Sequence, residues 1–360
     1  MTDDPKAPGE ARQSGGQSFH RPGRRPTVAD VARAANVSSM TVSNVVNERF
    51  GSMTKETRAT VERAIREIGY RPHASGRSLK LAKRFSIGVV VIDESPTFLA
   101  DPFITYLIAG LSNYLNQRDY GLVVQGMSAE QLQEAALMKR HETDALCVFL
   151  SGPQASRRKL IARFAALDQP VVVFQEPAPD KPLLHSIRQD DFGGARALAE
   201  HMLERGVERI VFLAPEVSWP AIEQRVAGAR AAMTDAGRAE AYKVVICGDG
   251  GFAATHQALA EETTASGWPS AVMGGNDQIG IAALKWLAGR GLRVPDDILV
   301  SGFNAFDAWQ YTDPVLTTVS SPAYAMGAKA GEIVLDTLHG NPPATREHLF
   351  PVAVQIGGST

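Results

Sequence analysis

The chain has 360 residues, 44% hydrophobic and 21% charged, with a formal net charge of −2. Such a length predicts two or three domains. The apolar content excludes a chain that stays disordered, and no apolar run approaches the ~18 residues of a membrane span. Cys147 and Cys247 both sit in apolar runs, DALCVFL and KVVICGDG. They cannot make a disulfide framework and read as buried free thiols in strands of a soluble, intracellular protein. The small net charge averages two unlike parts: residues 1–84 carry 16 Lys and Arg against 8 Asp and Glu, and the remainder 21 against 31. A basic head on an acidic body points to a polyanion partner for the head alone.

Residues 1–24 are a polar tail rich in Gly, Pro and Ser, ending in the basic Arg21 and Arg24. The tail is predicted to be disordered and lacks the apolar core of a signal peptide. From Arg25 the pattern turns helical. TVADVARAANV sets Val28, Val31, Ala32 and Ala35 on one stripe, with Thr27 as N-cap. After a break at Asn36-Val37, Ser38 caps a second short helix, SMTVSNVVN, with Val42, Val45 and Val46 inward. A third helix runs from about Thr54 to Ile68, with Val61, Ala64, Ile65 and Ile68 as its apolar face, and Gly69 ends it. Two short helices joined by a tight turn and braced by a third predict a helix-turn-helix domain over 25–70, followed by a linker over 71–84. The polar face of the second helix, with Ser39, Met40, Ser43 and Asn44, is the candidate for base and phosphate contact. Thr27, Ser38, Thr41 and Asn47 complete the candidate DNA-binding set.

From Phe85 short apolar runs alternate with helical segments. SIGVVVI, YGLVVQG, ALCVFL, PVVVFQE, RIVFLAP, KVVICGD, AVMGGND and ILVSGF read as consecutive buried strands. Their spacing of about 24 to 36 residues leaves room for one helix between each pair, the signature of βαβ units and a mainly parallel sheet. A doubly wound chain of this length divides into two lobes, with a ligand cleft at the strand ends.

PTVADVARAANVSSMTVSNVVN and TKETRATVERAIREIGYRPHASGRSL resemble the DNA-binding head of the lactose/galactose repressor family of bacterial transcription regulators. The likeness continues through the body, over roughly residues 25–356. It implies that the segment after Tyr70-Arg71-Pro72 is a hinge that becomes helical on operator DNA. Leu79 would wedge into the minor groove there, with Arg77, Lys80 and Lys83 on flanking phosphates. Two departures stand out. Gly76 lies where the family usually has alanine, which weakens the hinge helix by about 0.8–1 kcal/mol. Asn44 stands where most members carry arginine, which predicts a preference for adenine over guanine at one half-site position.

For the body, the resemblance implies a two-lobed periplasmic-binding-protein-like fold with parallel sheets, crossed three times, near Ile187–Asp190, near Gly302–Asp307 and at the last strands. Lobe 1 is expected over about 85–187 and 318–345, and lobe 2 over about 190–303 and 346–358. It also implies an effector site. Arg225, three residues before Gly228, matches the arginine that reaches sugar hydroxyls or carboxylates. Asn276 of the Asn276-Asp277 pair is expected to touch ligand, while Asp277 caps the next helix. Asp190 matches the crossover aspartate, as ligand contact, as a helix cap, or as the internal partner of Arg225. Phe98 and Phe103 are placed to stack on a sugar face, in an Asp101-Pro102-Phe103 stretch where members carry Asn-Pro-Phe. Asn304 and Gln175 each replace a common acid, and Gly250 a common aromatic, with Phe252 either its substitute or a core residue. Two lost acids beside Arg225 predict a relatively positive cleft and favour a sugar acid over a neutral sugar.

Other classes fare poorly. No phosphate loop, G-x-S-x-G elbow, H-E-x-x-H or C-x-x-C occurs, and the eight histidines are scattered, so no enzyme, cofactor or metal site is expected. A solute-binding protein of the same body fold would not carry a basic three-helix head. The expectation is a cytoplasmic repressor, at the nucleoid when bound, reading a palindromic operator as a homodimer. Its effector would be a sugar or sugar acid, with a purine-like corepressor as the alternative. The chain ends on PVAVQIGGST, without an apolar heptad tail, so a dimer is expected rather than a tetramer.

Overall fold

In the computed structural model each described helix of the head begins on a hydroxyl. Thr27, Ser38 and Thr54 accept the backbone N–H three residues on, opening α1 (Val28–Ala34), α2 (Ser39–Val46) and α3 (Lys55–Ile68). Asn36 turns the chain between α1 and α2 at φ 50°, and Gly69 ends α3 at φ 67°. Val31, Ala32, Ala35, Val42, Val45, Val61, Ala64 and Tyr70 form the core of the three helices. The structure describes residues 25–51, 53–71, 83–140, 142–217 and 219–360. The chain divides at Lys83/Arg84 into two units. The hinge residues Arg77, Leu79 and Lys80, and Gly76, lie outside the described residues.

The body holds two parallel sheets. In lobe 1, β1 (Ser86–Ile92), β2 (Gly121–Met127), β3 (Ala145–Leu150), β4 (Val171–Phe174), β5 (Leu184–Gln189) and β11 (Glu347–Phe350) take the order β11-β5-β4-β3-β1-β2. In lobe 2, β6 (Ile210–Ala214), β7 (Tyr242–Ile246), β8 (Ala271–Gly274) and β9 (Leu299–Ser301) take the order β7-β6-β8-β9. Both sheets thus reverse direction of growth beside their first strand, and the crevice of a doubly wound sheet opens at that reversal.

Helices cover both faces of each sheet. In lobe 1, α4 (Pro102–Asn116) and α12 (Ala323–Leu338) close one apolar layer, while the short α5 (Gln131–Glu134) and α6 (Ala136–Lys139) and α7 (Gln154–Phe164) close the other. In lobe 2, α8 (Asp191–Glu204) and α9 (Pro220–Asp235) pack on one side, α10 (Phe252–Ser266) and α11 (Asp277–Ala288) on the other. Two helix pairs meet at glycine. A Cβ on Gly327 would strike the Leu107 carbonyl across the α4–α12 contact, and one on Gly228 would strike the Phe192 carbonyl across α8–α9. Cys147 and Cys247 are both buried and free, and burial pushes the Cys147 thiol up to about 12.

Of the three crossings, the first falls within the expected Ile187–Asp190 and the other two depart from the sequence reading. The first lies between β5 and α8. The second lies at Ser320–Ala323, not Gly302–Asp307. β10 (Thr318–Ser320) stays with lobe 2, pairing antiparallel with β12 (Ala353–Gln355) and burying Val319 in the α8–α9 layer. Phe306 and Asp307 do lean on lobe 1, where Phe306 stacks on Tyr106 at 4.6 Å and Asp307 accepts from the Tyr106 hydroxyl at 2.9 Å. The third crossing follows β11, which completes the lobe 1 sheet beside β5; residues 346–350 therefore do not belong to lobe 2. YGLVVQG is not a buried strand either. It forms the edge strand β2, leaving Val123 and Val124 exposed.

Candidate functional site

On the head, the capping that builds α2 also orients its exposed face. Ser38 Oγ accepts from Thr41 N and shares a hydrogen bond with Thr41 Oγ1 at 2.9 Å. Thr27 is likewise committed to its own helix start, in a reciprocal capping box with Asp30. Ser39, Met40 and Asn47 are exposed, Met40 at 68%, while Thr41, Ser43 and Asn44 are half-buried on the same face. Asn47 spends its amide on the Ser43 carbonyl at 2.6 Å. Among the described residues, Ser39 and Asn44 are the polar side chains of this face without a side-chain partner, with the exposed Met40 beside them.

In the body, the residues following the parallel strands converge on one cleft of about 310 Å³. Asp93 follows β1, Phe149 and Leu150 end β3, and Phe174 and Gln175 come at the end of β4. From lobe 2 come Pro215 after β6, Asp249 and Gly250 after β7, Asn276 after β8 and Asn304 after β9. Asp101 and Phe103, at the start of α4, and Trp219 and Arg225, from the cap and second turn of α9, complete the walls.

Arg225 organises the cleft. Its Nε donates to Asp191 Oδ1 at 2.7 Å, Nη1 to the Gly275 carbonyl at 2.7 Å and Nη2 to Asn304 Oδ1 at 2.9 Å, with the guanidinium 3.8 Å over the Phe303 ring. Asp191 also accepts from Gln189 Nε2 at 2.9 Å and Gln175 Nε2 at 2.8 Å. Burial pushes the Asp191 carboxyl up, and Arg225 with the two amides pulls the other way. These bonds use three of the five guanidinium N–H groups and leave one on each Nη.

Of the predicted effector residues, Phe103, Gln175, Arg225, Asn276 and Asn304 line this cleft, and Asp190 does not. Asp190 caps α8 through Gly193 N, and its neighbour Asp191 is the partner of Arg225. One residue along the chain separates the cap from the buried ion pair, which spacing alone cannot resolve. At 276–277 the cleft residue is as expected and only the cap moves. Asn276 is the N-cap of α11, accepting from Ile279 N at 3.0 Å, and lines the cleft. Asp277 instead lies buried in the first turn, accepts from Thr318 Oγ1 at 2.5 Å, and is raised by burial to about 6. Phe252 is no wall residue; it is half-exposed and packs on His256. The aromatic walls missed from sequence are Phe149, Phe174 and Trp219, and the first two sit at strand C-termini where that rule would have placed them.

The expected positive cleft is not there. Arg225 is the one cation among the described lining residues and is matched by Asp191, while Asp93, Asp101 and Asp249 all line the walls. The acids missing at 175 and 304 are outweighed by carboxylates after β1 and β7 and at the start of α4.

A second ion pair joins the lobes. Arg157 on α7 is buried between Glu176, which it contacts through Nε, and Glu223 on α9.

Residues 27–73 match the bacterial regulatory proteins of the lacI family, and residues 199–360 match a periplasmic binding protein-like domain. The HTH-type transcriptional repressor PurR of Photobacterium profundum is 30% identical over 314 residues, covering 86% of this chain and 91% of that protein. The HTH-type transcriptional repressor CytR of Escherichia coli (strain K12) is 30% identical over 338 residues, covering 93% and 96%. Among solved structures, the lac repressor dimer bound to operator and the anti-inducer ONPF superposes with a TM-score of 0.82 at 23% identity, over 94% of this chain and 99% of that one. The CelR–cellobiose complex does so at 0.66 and 25%, over 93% and 100%. The relatives are transcriptional repressors, not enzymes. Aligned with them almost end to end, the chain belongs to the lacI family of bacterial regulatory proteins and is a DNA-binding transcription regulator.

Proposed function

We propose that this regulator is a cytoplasmic repressor that binds a palindromic operator as a homodimer and is controlled by a small carbohydrate-type effector in the interlobe cleft. The observation that carries the effector reading is the convergence of strand ends from both sheets on Arg225. A guanidinium held by Asp191, Asn304 and the Gly275 carbonyl is preorganised to offer its two remaining N–H groups to ring oxygens. Phe103, Phe174 and Trp219 supply flat apolar surface for a sugar face. The charge on the walls favours a ligand that is not an anion. Cleft closure on the effector would shift the population of lobe arrangements and so alter operator affinity, by about 5–150-fold for coupling of 1–3 kcal/mol.

Selection of bound sequences from a random DNA pool by the full chain tests the operator reading. Inverted repeats with two equal half-sites are expected, and enrichment of a single unpaired site would overturn the symmetric dimer. The selected operator then serves to titrate effectors: a sugar that changes operator affinity in the wild type but not in Asn276→Ala acts through the cleft.

A further inference from the structure

We infer that Gln189 and Ser321 carry the state of the Arg225 site to the strands that join the lobes, and so set how strongly an effector alters operator affinity. The inference rests on the cleft being the effector site and names the route out of it. Gln189 ends β5, at the first crossing, and Ser321 stands in the second, between β10 and α12. Ser321 Oγ donates to Gln189 Oε1 at 2.6 Å, and Gln189 Nε2 donates to Asp191 Oδ1 at 2.9 Å. The same Asp191 oxygen holds Arg225 Nε, Arg225 Nη2 donates to Asn304 Oδ1, and the Asn304 carbonyl accepts from Ser321 N at 3.0 Å. Arg225, Asp191, Gln189, Ser321 and Asn304 thus close a ring of hydrogen bonds. Arg225 and Asn304 line the cleft, whereas Gln189 and Ser321 do not.

The ties to the third crossing are of another kind. Asp190 N donates to the Phe350 carbonyl at 2.9 Å, and Ser320 Oγ donates to the Ala353 carbonyl at 3.1 Å. Neither bond runs to Arg225. The Ser321–Gln189 bond joins two side chains, and Gln189, 4% exposed, is held on its other side by the Asp191 carboxylate. Turning the Gln189 amide over would set its oxygen against that carboxylate, so its orientation is fixed. A ligand oxygen on the remaining Nη N–H groups draws on the guanidinium that closes the ring. Any shift of the guanidinium reaches Asp191 and Asn304 together, and through them the first and second crossings. A change of lobe angle alters the spacing of those crossings, so ring geometry and lobe angle form one equilibrium that the cleft and the operator both bias.

The test measures affinity for the selected operator in the full chain, with ribose, glucose, galactose and cellobiose as probes. A sugar that changes operator affinity by about fivefold or more in the wild type is expected to change it less than about twofold in Ser321→Ala. Its own affinity for the free protein, from calorimetry, should stay within about threefold. Ser321→Thr keeps the hydroxyl and should restore the response. Ser320→Ala loosens the second crossing from the third but leaves the ring intact, and should respond like the wild type. A full response in Ser321→Ala overturns the inference, as does an equal loss in Ser320→Ala or loss of sugar binding itself in Ser321→Ala. A second arm needs no ligand. Asn304→Asp adds a charge that draws Arg225 away from Asp191, and is expected to change operator affinity by about threefold or more in the wild type and by less than half as much in Ser321→Ala. Equal effects in the two backgrounds overturn the inference. If no sugar acts but this cycle shows the coupling, the sugar reading falls and the ring stands; if neither does, both fall.

Discussion

Arg157 and Glu223 tie the two lobes together through paired hydrogen bonds, Nη1 to Oε1 at 3.0 Å and Nη2 to Oε2 at 2.8 Å. The arginine is 1% exposed and is also held by Glu176 and the Gly152 carbonyl from lobe 1, so it stays fixed when its partner leaves. Glu223→Gln is expected to cost only about 1 kcal/mol in a urea melt, because Glu223 is partly solvated and screened. Arg157→Met strands Glu176 and should cost about 3–5 kcal/mol. Small-angle scattering of Glu223→Gln is expected to report a larger radius of gyration than wild type. Equal radii would show that the pair does not hold the lobes together.

Arg225→Ala leaves Asp191 buried with only two amide donors. A destabilisation of about 3–5 kcal/mol is expected, and adding Asp191→Asn should recover a good part of it. Urea midpoints of the two single variants and the double variant close the cycle. Simple additivity would mean that the two residues are not energetically coupled. Arg225→Lys should fare little better than alanine, because an ammonium cannot reach Asp191, Asn304 and the Gly275 carbonyl from one plane.

Asp277 makes stability depend on pH. Its carboxyl is raised from 3.8 to about 6 in the folded chain, so the folded state binds the proton more tightly than the unfolded one. The penalty of ionising it is full at pH 7 and vanishes below 4, and at most about 2–3 kcal/mol is involved. The stability of the wild type relative to Asp277→Asn should therefore rise as pH falls from 7 to 5. A difference that stays flat across this window would count against a raised carboxyl.

Gly327→Ala drives a methyl group into the Leu107 carbonyl, and backbone on both helices has to move. A loss of about 1–3 kcal/mol is expected. Gly340, which sits in open space at φ 83°, tests backbone strain without a clash, and Gly340→Ala should cost less. Thermal melts rank the two, and the reverse order would refute the close-approach account of the α4–α12 contact.

On the head, Asn44→Arg should move the preference at one half-site position from adenine toward guanine, read by repeating the DNA selection. Ser38→Ala removes the cap of the same helix, about 1 kcal/mol, and should weaken binding to every sequence alike. Unchanged preferences in Asn44→Arg would reduce Asn44 to a backbone contact.

Local chemistry is what the sequence by itself determined. Thr27, Ser38 and Thr54 declare their helix starts because a capping hydroxyl acts within three residues, and the valine stripes of α1 and α2 follow from a 3.6-residue period. The family likeness located Arg225, Asn276 and Asn304 at the cleft for the same reason, since each sits in a short local motif. What only the tertiary structure decided depends on segments far apart in the chain. Asp191 rather than Asp190 pairs with Arg225 because α8 and α9 pack closely at Gly228. β11 joins lobe 1 while β12 joins lobe 2, because strand pairing is settled by partners more than 150 residues away in the one case and more than 30 in the other. The sign of the cleft was misread for this reason. Substitutions at 175 and 304 are visible one position at a time, whereas the field in a cavity sums charges from every segment that faces it, and Asp249 of lobe 2 comes to line the same cleft as Asp93 and Asp101 of lobe 1 only when both sheets are wound.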